Sequence, residues 1–302
     1  MIEIIKNTTY EEWLENRTKN VNSTEISALF GISDYCTLYE LWWRKKENKY
    51  VNFEPNERMK AGTHYQDAIA QWFAKENKWT IRRMDEYMFD PELRIGSSFD
   101  YINQDDELLE IKSVDSLQFH KNFTDIGRVI SAPLQIEAQC QHELLISGKQ
   151  VLWLCLCVGG NTHYQIKRTP DLKVHEAIKS KVSEFWRSID NNIEPKPDFE
   201  QDAEFIKSLF NYAEPGLAMN VDPESPINTL AREYKLLGDQ IKPLESRREA
   251  IKAEILTMIG QAEKCFGDGF SISAGMIGPC HVEYDREGYR SFKINFKKSK
   301  GE

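Results

Sequence analysis

The sequence predicts an α/β fold: a central mixed β-sheet flanked by helices, then a C-terminal helical arm and a small β-hairpin. Three observations carry this. Residues 151–158, VLWLCLCV, are a continuous apolar run of strand length, as in a strand buried on both faces. Along residues 22–198 helical and strand periodicities alternate, with helices first, three strands next and a helix after them. From Leu230 onward Leu230, Tyr234, Leu237, Ile241 and Leu244, then Ile251, Ile255, Met258 and Ala262, recur at the spacing of a long amphipathic helix or helical hairpin.

Each element has a local reason. Residues 1–20 open with a short strand (IEII) and a helix. Ser23 or Thr24 caps a short helix that stops at Gly31. Helices follow over 37–46 and 56–77; in the second, Met59, Tyr65, Ile69, Trp72 and Phe73 recur at helical spacing. Residues 82–89, 94–102 and 107–114 read as strands, and the Asp105-Asp106 turn makes the last two a hairpin. The helix over 132–146 has Pro133 near its start and Gly148 as its stop. Gly159-Gly160-Asn161 turns the apolar strand into an edge strand at 163–168, and a helix over 172–191 ends before Pro195 and Pro197.

Residues 211–228 contain three prolines and few large apolar side chains. They divide a domain of residues 1–210 from a terminal part of residues 229–302. There Pro243 is expected to kink the long helix, Arg248 interrupts its stripe, and residues 270–296 alternate like a hairpin.

The charge balance, 39 Lys and Arg against 48 Asp and Glu for a net −9 over 302 residues, excludes a histone-like or basic-tail binder. It leaves room for an enzyme with a local positive groove. Six cysteines are too sparse for a disulfide scaffold; Cys155 and Cys157 share one face of a strand with no second pair, as structural thiols do. No leader-like opening and no membrane-length apolar run is visible, so a reducing cytoplasm is the expected setting.

The chemistry concentrates in Gly96-Ser97-Ser98-Phe99-Asp100 and Leu109-Glu110-Ile111-Lys112. Glu110 and Lys112 are two apart on a strand and share a face, while Ile111 points the other way. With Asp100 on the neighbouring strand, two carboxylates and a lysine converge. Paired carboxylates favour a hard divalent cation, Mg²⁺ or Mn²⁺, and the backbone carbonyl of Ile111 is a further oxygen donor. Glu-x-Lys also occurs on the solvated face of ordinary strands. The helix–strand–strand–strand–helix context and the small residues beside Asp100 set this copy apart.

Five blocks in order then resemble the YqaJ-type viral recombinase family, which includes the lambda phage exonuclease and belongs to the PD-(D/E)xK nuclease superfamily. They are Ser27 to Tyr35 with Leu38-Tyr39-Glu40-Leu41-Trp42; Met59 to Gln66; Gly96 to Lys112; Pro133 with Gln139-Cys140-Gln141-His142 and Gly148; and Phe185-Trp186 with Pro195. The resemblance implies a restriction-endonuclease-like core over residues 1–210. It implies Asp100 and Glu110 as ligands of Mg²⁺ (with Mn²⁺ as substitute), Lys112 as catalytic lysine, and Gln139, with Gln141 beside it, as the amide that places metal, water or phosphate. Where the family carries a glutamate on the early helix this chain has Gln66, so Gln66 or His64 is the candidate for a further ligand. Where many relatives carry a tyrosine it has Ile136.

The activity so implied is 5′→3′ digestion of one strand of linear duplex DNA, leaving 3′ overhangs for a single-strand annealing partner, in a bacterial or phage-infected cell. A homo-oligomer, a trimeric ring in the lambda enzyme, is implied with it. Ser33, Tyr35, Arg44, Lys45, Gln141, Lys167 and Arg168 are candidate DNA contacts, and Arg82-Arg83 is a further basic cluster. Positive charge is expected along the approach to Asp100, Glu110 and Lys112. Two alternatives stay open: a structure-specific or RecB-type endonuclease of the same fold, and a non-enzymatic DNA-binding or host-interaction protein that retains it.

Overall fold

In the computed structural model, which describes residues 1–6, 9–48, 56–126, 129–286, 288–294 and 296, the chain divides into two units, Met1–Ile206 and Lys207–Glu302. The first unit opens with β1 (Glu3–Lys6), α1 (Tyr10–Lys19), β2 (Val21–Asn22), α2 (Ile26–Leu29), α3 (Leu38–Lys46) and α4 (Glu57–Asn77). Then come β3 (Ile81–Arg83), β4 (Glu86–Asp90), β5 (Ile95–Ser98), β6 (Tyr101–Asn103) and β7 (Leu108–Val114). After these lie α5 (Ser116–Asn122), β8 (Thr124–Ile126), β9 (Val129–Ser131), α6 (Leu134–Ser147), β10 (Leu152–Val158), β11 (Thr162–Arg168) and α7 (Leu172–Asp190). The unit boundary falls within α8 (Ala203–Leu209).

Side-chain caps set most helix starts. Thr37, Asn56 and Asp171 accept backbone N–H bonds at the starts of α3, α4 and α7. Gly148 takes the left-handed conformation (φ 68°) that ends α6. The expected Ser23 or Thr24 cap is corrected: the residue before α2 is Glu25, which makes no cap bond. Its carboxylate instead accepts from the backbone N–H of Asn22 at 2.9 Å and from Lys45 Nζ at 2.7 Å.

The strands form a five-stranded mixed sheet, β11-β10-β7-β6-β3, and a four-stranded one, β1-β4-β5-β2, where one central sheet was expected. β7 lies in the middle of the five, parallel to β10 (Glu110 beside Leu154, Lys112 beside Leu156) and antiparallel to β6. Both strands expected to be continuous are broken. Residues 82–89 split at Met84-Asp85 into β3 and β4, and residues 94–102 split at Phe99-Asp100 into β5 and β6. In each case the chain leaves one sheet for the other. The two breaks face each other, with Met84 N–H donating to the Asp100 carbonyl at 3.0 Å. Met84 and Phe99, each 6% exposed, fill the core at the bend.

Two apolar clusters cover the five-stranded sheet. Leu108, Leu152, Leu154 and Leu156 pack with Leu144 of α6 and with Ile178 and Val182 of α7. Tyr101, Leu109, Ile111, Cys155 and Cys157 pack with Ile69, Ala70 and Phe73 of α4. The mixed α/β class therefore matches the expectation. The site sits where β7 passes between α4 and α6.

The second unit contains α9 (Pro226–Ile259), β12 (Lys264–Gly267) and β13 (Phe270–Ser273). The repeating stripe is one 34-residue helix, with Ser225 at its N-cap, Pro226 at its first position and Pro243 inside it, and not a helical hairpin. None of its residues is buried. The hairpin lies at residues 264–273, earlier than expected; residues 274–286, 288–294 and 296 contain no strand, and Asn295 lies outside the described residues.

Candidate active site

Asp100 occupies the bend between β5 and β6, and the bend aims its side chain at β7. Its Oδ2 accepts from the backbone N–H of Ile111 at 2.8 Å, and its Oδ1 accepts from Gln66 Nε2 at 2.6 Å. On β7, Glu110 and Lys112 point to one face, with Lys112 Nζ 2.6 Å from Glu110 Oε1. Ile111 lies in the cluster under α4 on the opposite face. From α6, Gln139 reaches both: its Nε2 donates to Glu110 Oε1 at 2.7 Å and its Oε1 accepts from Lys112 Nζ at 3.1 Å. Glu110, Lys112 and Gln139 thus hydrogen-bond to one another, and Asp100 with Gln66 is tied to them through the Ile111 N–H, so the bend, β7, α6 and α4 bring these five residues into one group.

The electrostatics of that group are those of an anionic pocket. Burial, and after it the charge of Glu110, push the Asp100 carboxyl up to about 8. Burial works to lower the Lys112 pKa, but the charges of Glu110 and Asp100 outweigh it and hold the ammonium well above the usual lysine range. Lys112 is therefore a cation and hydrogen-bond donor in this arrangement. Two enclosed carboxylates side by side fit a divalent cation, because the cation removes the repulsion that the single ammonium only half offsets. The donors are hard oxygens: Asp100, Glu110 and the Ile111 carbonyl. Among the described residues no group of three or more His, Cys, Asp or Glu is placed to hold a metal, so any ion here rests on these two carboxylates.

Of the two candidates on α4, Gln66 faces the site and His64 does not. His64 is exposed, about 200° around the helix from Gln66. Gln66 presents its amide nitrogen to Asp100, so it acts as a donor to the carboxylate and not as a ligand. The next residue, Asp67, accepts from the Tyr101 hydroxyl and lies 3.5 Å from Arg83, which pins α4 to the sheet beside Gln66. Glu143 escaped the sequence reading. It lies one helical turn beyond Gln139, is 2% exposed, and its Oε1 accepts from Gln139 Nε2 at 2.8 Å. The available signal was a charged residue inside QCQHELL, a stretch whose apolar neighbours put it in the core.

The candidate DNA contacts fall into two groups. Lys45 is corrected: it is buried, donates to the carbonyls of Arg17 (2.7 Å) and Asn20 (2.6 Å) and pairs with Glu25, so it joins α3 to α1 and offers phosphate nothing. Gln141 is also corrected: facing away from Gln139, it donates to the Thr169 carbonyl at 3.0 Å and accepts from Asp171 N–H at 2.9 Å. Arg168 is held by both oxygens of Glu137, at 2.6 and 2.5 Å, and Arg44 pairs with Glu40. Arg82 is likewise paired, with Glu86 at 3.0 Å. In the second group, Tyr35 is 84% exposed, Ser33 Oγ accepts from the N–H groups of Tyr35 and Cys36, and Lys167 stands half-exposed over Trp153. Trp42 is fully buried core.

Residues 12–150, the stretch that contains all five residues of the group, match the YqaJ-like viral recombinase domain. Over this stretch the chain is similar to the YqaJ-like viral recombinase family. Protein YqaJ of Bacillus subtilis (strain 168) is 25% identical over 264 residues, which cover 85% of this chain and 80% of that protein. Among solved structures, an alkaline exonuclease (LHK-Exo) from Laribacter hongkongensis is 17% identical over 65% of this chain and 99% of its own, with a TM-score of 0.47. A phage-related exonuclease from Haemophilus somnus 129PT is 11% identical over 58% and 95%, with a TM-score of 0.45. Residues 134–147 of the matched stretch, helix α6, carry both Gln139 and Glu143. No described helix is long and apolar enough to cross a membrane.

Proposed function

We propose that the chain is a Mg²⁺-dependent deoxyribonuclease that digests one strand of linear duplex DNA from its 5′ end and leaves a 3′ overhang for strand annealing. One observation carries the nuclease reading: Glu110, Lys112 and Gln139 are hydrogen-bonded to one another, and Asp100 accepts from the Ile111 N–H between the first two, within the stretch similar to a recombinase domain. Polarity, the annealing partner and Mn²⁺ as a substitute ion rest on the family resemblance.

Asp100, Glu110 and the Ile111 carbonyl would hold the ion, which when bound would supply Lewis-acid polarisation of the phosphate and a more acidic water. Lys112, kept charged by its carboxylate neighbours, donates to that water or to a phosphate oxygen as negative charge develops there. Gln139 keeps Lys112 and Glu110 at fixed separation, and Gln66 with the Ile111 N–H orients Asp100. In-line attack by a water molecule, which gives its proton to solvent, forms a new oxygen–phosphorus bond and breaks the bond to the 3′-oxygen; that oxygen takes up a proton from water, and a 5′-phosphate is left.

The test is nucleotide release from end-labelled linear duplex and from closed circular DNA, with and without Mg²⁺. Release from the linear form alone, lost on chelation and in a folded Lys112→Ala variant, is expected. Cleavage of the circle indicates an endonuclease instead. One feature favours the non-enzymatic reading, since Gln66 contributes a donor where a further carboxylate would strengthen metal binding. No metal-dependent release from either DNA would establish that reading.

A further inference from the structure

Gln139 can bridge Glu110 and Lys112 in only one orientation. A primary amide has two nearly isosteric ends, one donating and one accepting, and rotation about its last torsion exchanges them. Here the nitrogen has two N–H groups and both are engaged, one with Glu110 Oε1 at 2.7 Å and one with Glu143 Oε1 at 2.8 Å. The oxygen is left facing Lys112 Nζ at 3.1 Å. Rotating the amide would set its oxygen against the Glu110 carboxylate and its NH₂ against the Lys112 ammonium.

We infer that Glu143 is a positioning residue that locks the Gln139 amide for catalysis, an inference that rests on the nuclease reading above. Three groups hold the amide, and two of them, Glu110 and Lys112, are reacting groups whose hydrogen bonds rearrange when substrate engages them. Glu143 is not. It lies on the same helix as Gln139, four residues on, so the two side chains stack on one face and move together. It is 2% exposed, so water does not compete for its bond. Burial, and after it the charge of Glu110, push the Glu143 carboxyl well above the usual carboxylate range, and its Oε1 still accepts from Gln139. The bond from Glu143 therefore fixes the donor end of the amide from behind, while the front of the site changes partners.

The experiment compares wild type with Glu143→Leu, Glu143→Gln and Gln139→Ala, and with the double variant Glu143→Leu/Gln139→Ala. Steady-state nuclease kinetics are measured, together with hydrogen exchange of the Gln139 side-chain NH₂ by NMR. Glu143→Leu removes the acceptor, and kcat is expected to fall about tenfold at unchanged KM while exchange of the NH₂ speeds up. Glu143→Gln retains an acceptor and should recover most of that loss. In the Gln139→Ala background the Leu substitution should cost nothing further, because the group it acts through is gone. Additive losses, or NH₂ exchange unaltered by Glu143→Leu, would overturn the inference. Should the Leu variant not fold, Glu143→Met replaces it, and collapse of both makes the residue purely structural. If wild type releases no nucleotide, the nuclease reading fails by itself, and the exchange data still decide whether Glu143 locks the amide.

Discussion

At the residue scale, His142 has little freedom. It is fully buried between Gln139 and Glu143 in sequence, and its Nε2 lies 2.9 Å from the Gly96 carbonyl. A carbonyl only accepts, so Nε2 carries the proton, and Nδ1 has no partner. Burial pushes the pKa down from 6.5 to about 4. Between those values the unfolded chain binds a proton that the folded chain refuses, so stability falls as pH drops through that window, by roughly 3 kcal/mol in all. Asp100, raised to about 8, works in the opposite sense, because its folded form retains a proton that the unfolded form releases. The measurement is therefore the difference in urea-unfolding free energy between wild type and His142→Gln from pH 7 to pH 4. That difference should shrink as pH falls; a constant difference removes His142 as its source. Asp100, Glu110 and Lys112 were legible in the sequence because strand alternation and their charges suffice to group two of them. Glu143 was not, since only the packed interior turns an ordinary glutamate on a helix into a buried acceptor.

At the element scale, α3 depends on a single hydroxyl. Thr37 Oγ1 accepts from the Glu40 N–H at 3.0 Å and donates to Asp202, which joins the helix start to the segment before α8. Thr37→Val keeps the shape and removes both bonds, with an expected cost of about 1–3 kcal/mol, whereas Thr37→Ser should cost much less. Urea unfolding of the two variants measures this; equal stabilities would show that the hydroxyl does not hold the helix. Caps and stops of this kind are local, which is why α3, α4, α6 and α7 were readable to within a residue or two. The strand breaks were not. Residues 82–89 and 94–102 have no glycine or proline at Met84-Asp85 or Phe99-Asp100, and the chain bends there because Met84 and Phe99 enter a shared core.

At the scale of the whole molecule, the buried apolar residues among those described all lie between Val21 and Trp186, inside the first unit. A chain ending at Phe210 retains that core, both of its sheets and every residue of the candidate site. We expect it to unfold in one cooperative transition and to retain the proposed Mg²⁺-dependent cleavage. Calorimetry and the linear-duplex assay check both, and a truncated chain without a cooperative transition would show that residues after 210 belong to the folding unit. The second unit is built differently: Leu230, Tyr234, Ile241 and Leu244 of α9 are each more than half exposed. The net charge of −9 also has a local counterpart, because Arg44, Arg82 and Arg168, expected along a DNA path, are each paired with a carboxylate.

By itself the sequence determined the α/β class, most element boundaries, the buried strand beside β7 and the pairing of Glu110 with Lys112. All of these follow from periodicity, caps and turns within a few residues. Only the tertiary structure decided that two strands bend from one sheet into another, that the bend presents Asp100 to the Ile111 N–H, and that Gln66 replaces His64 at the site. It also decided that Lys45 and Gln141 serve the scaffold, and that Glu143 stands behind Gln139. Each of these is a contact between residues distant in sequence or a consequence of burial, and side-chain burial is a property of the packed fold that no local window of residues contains.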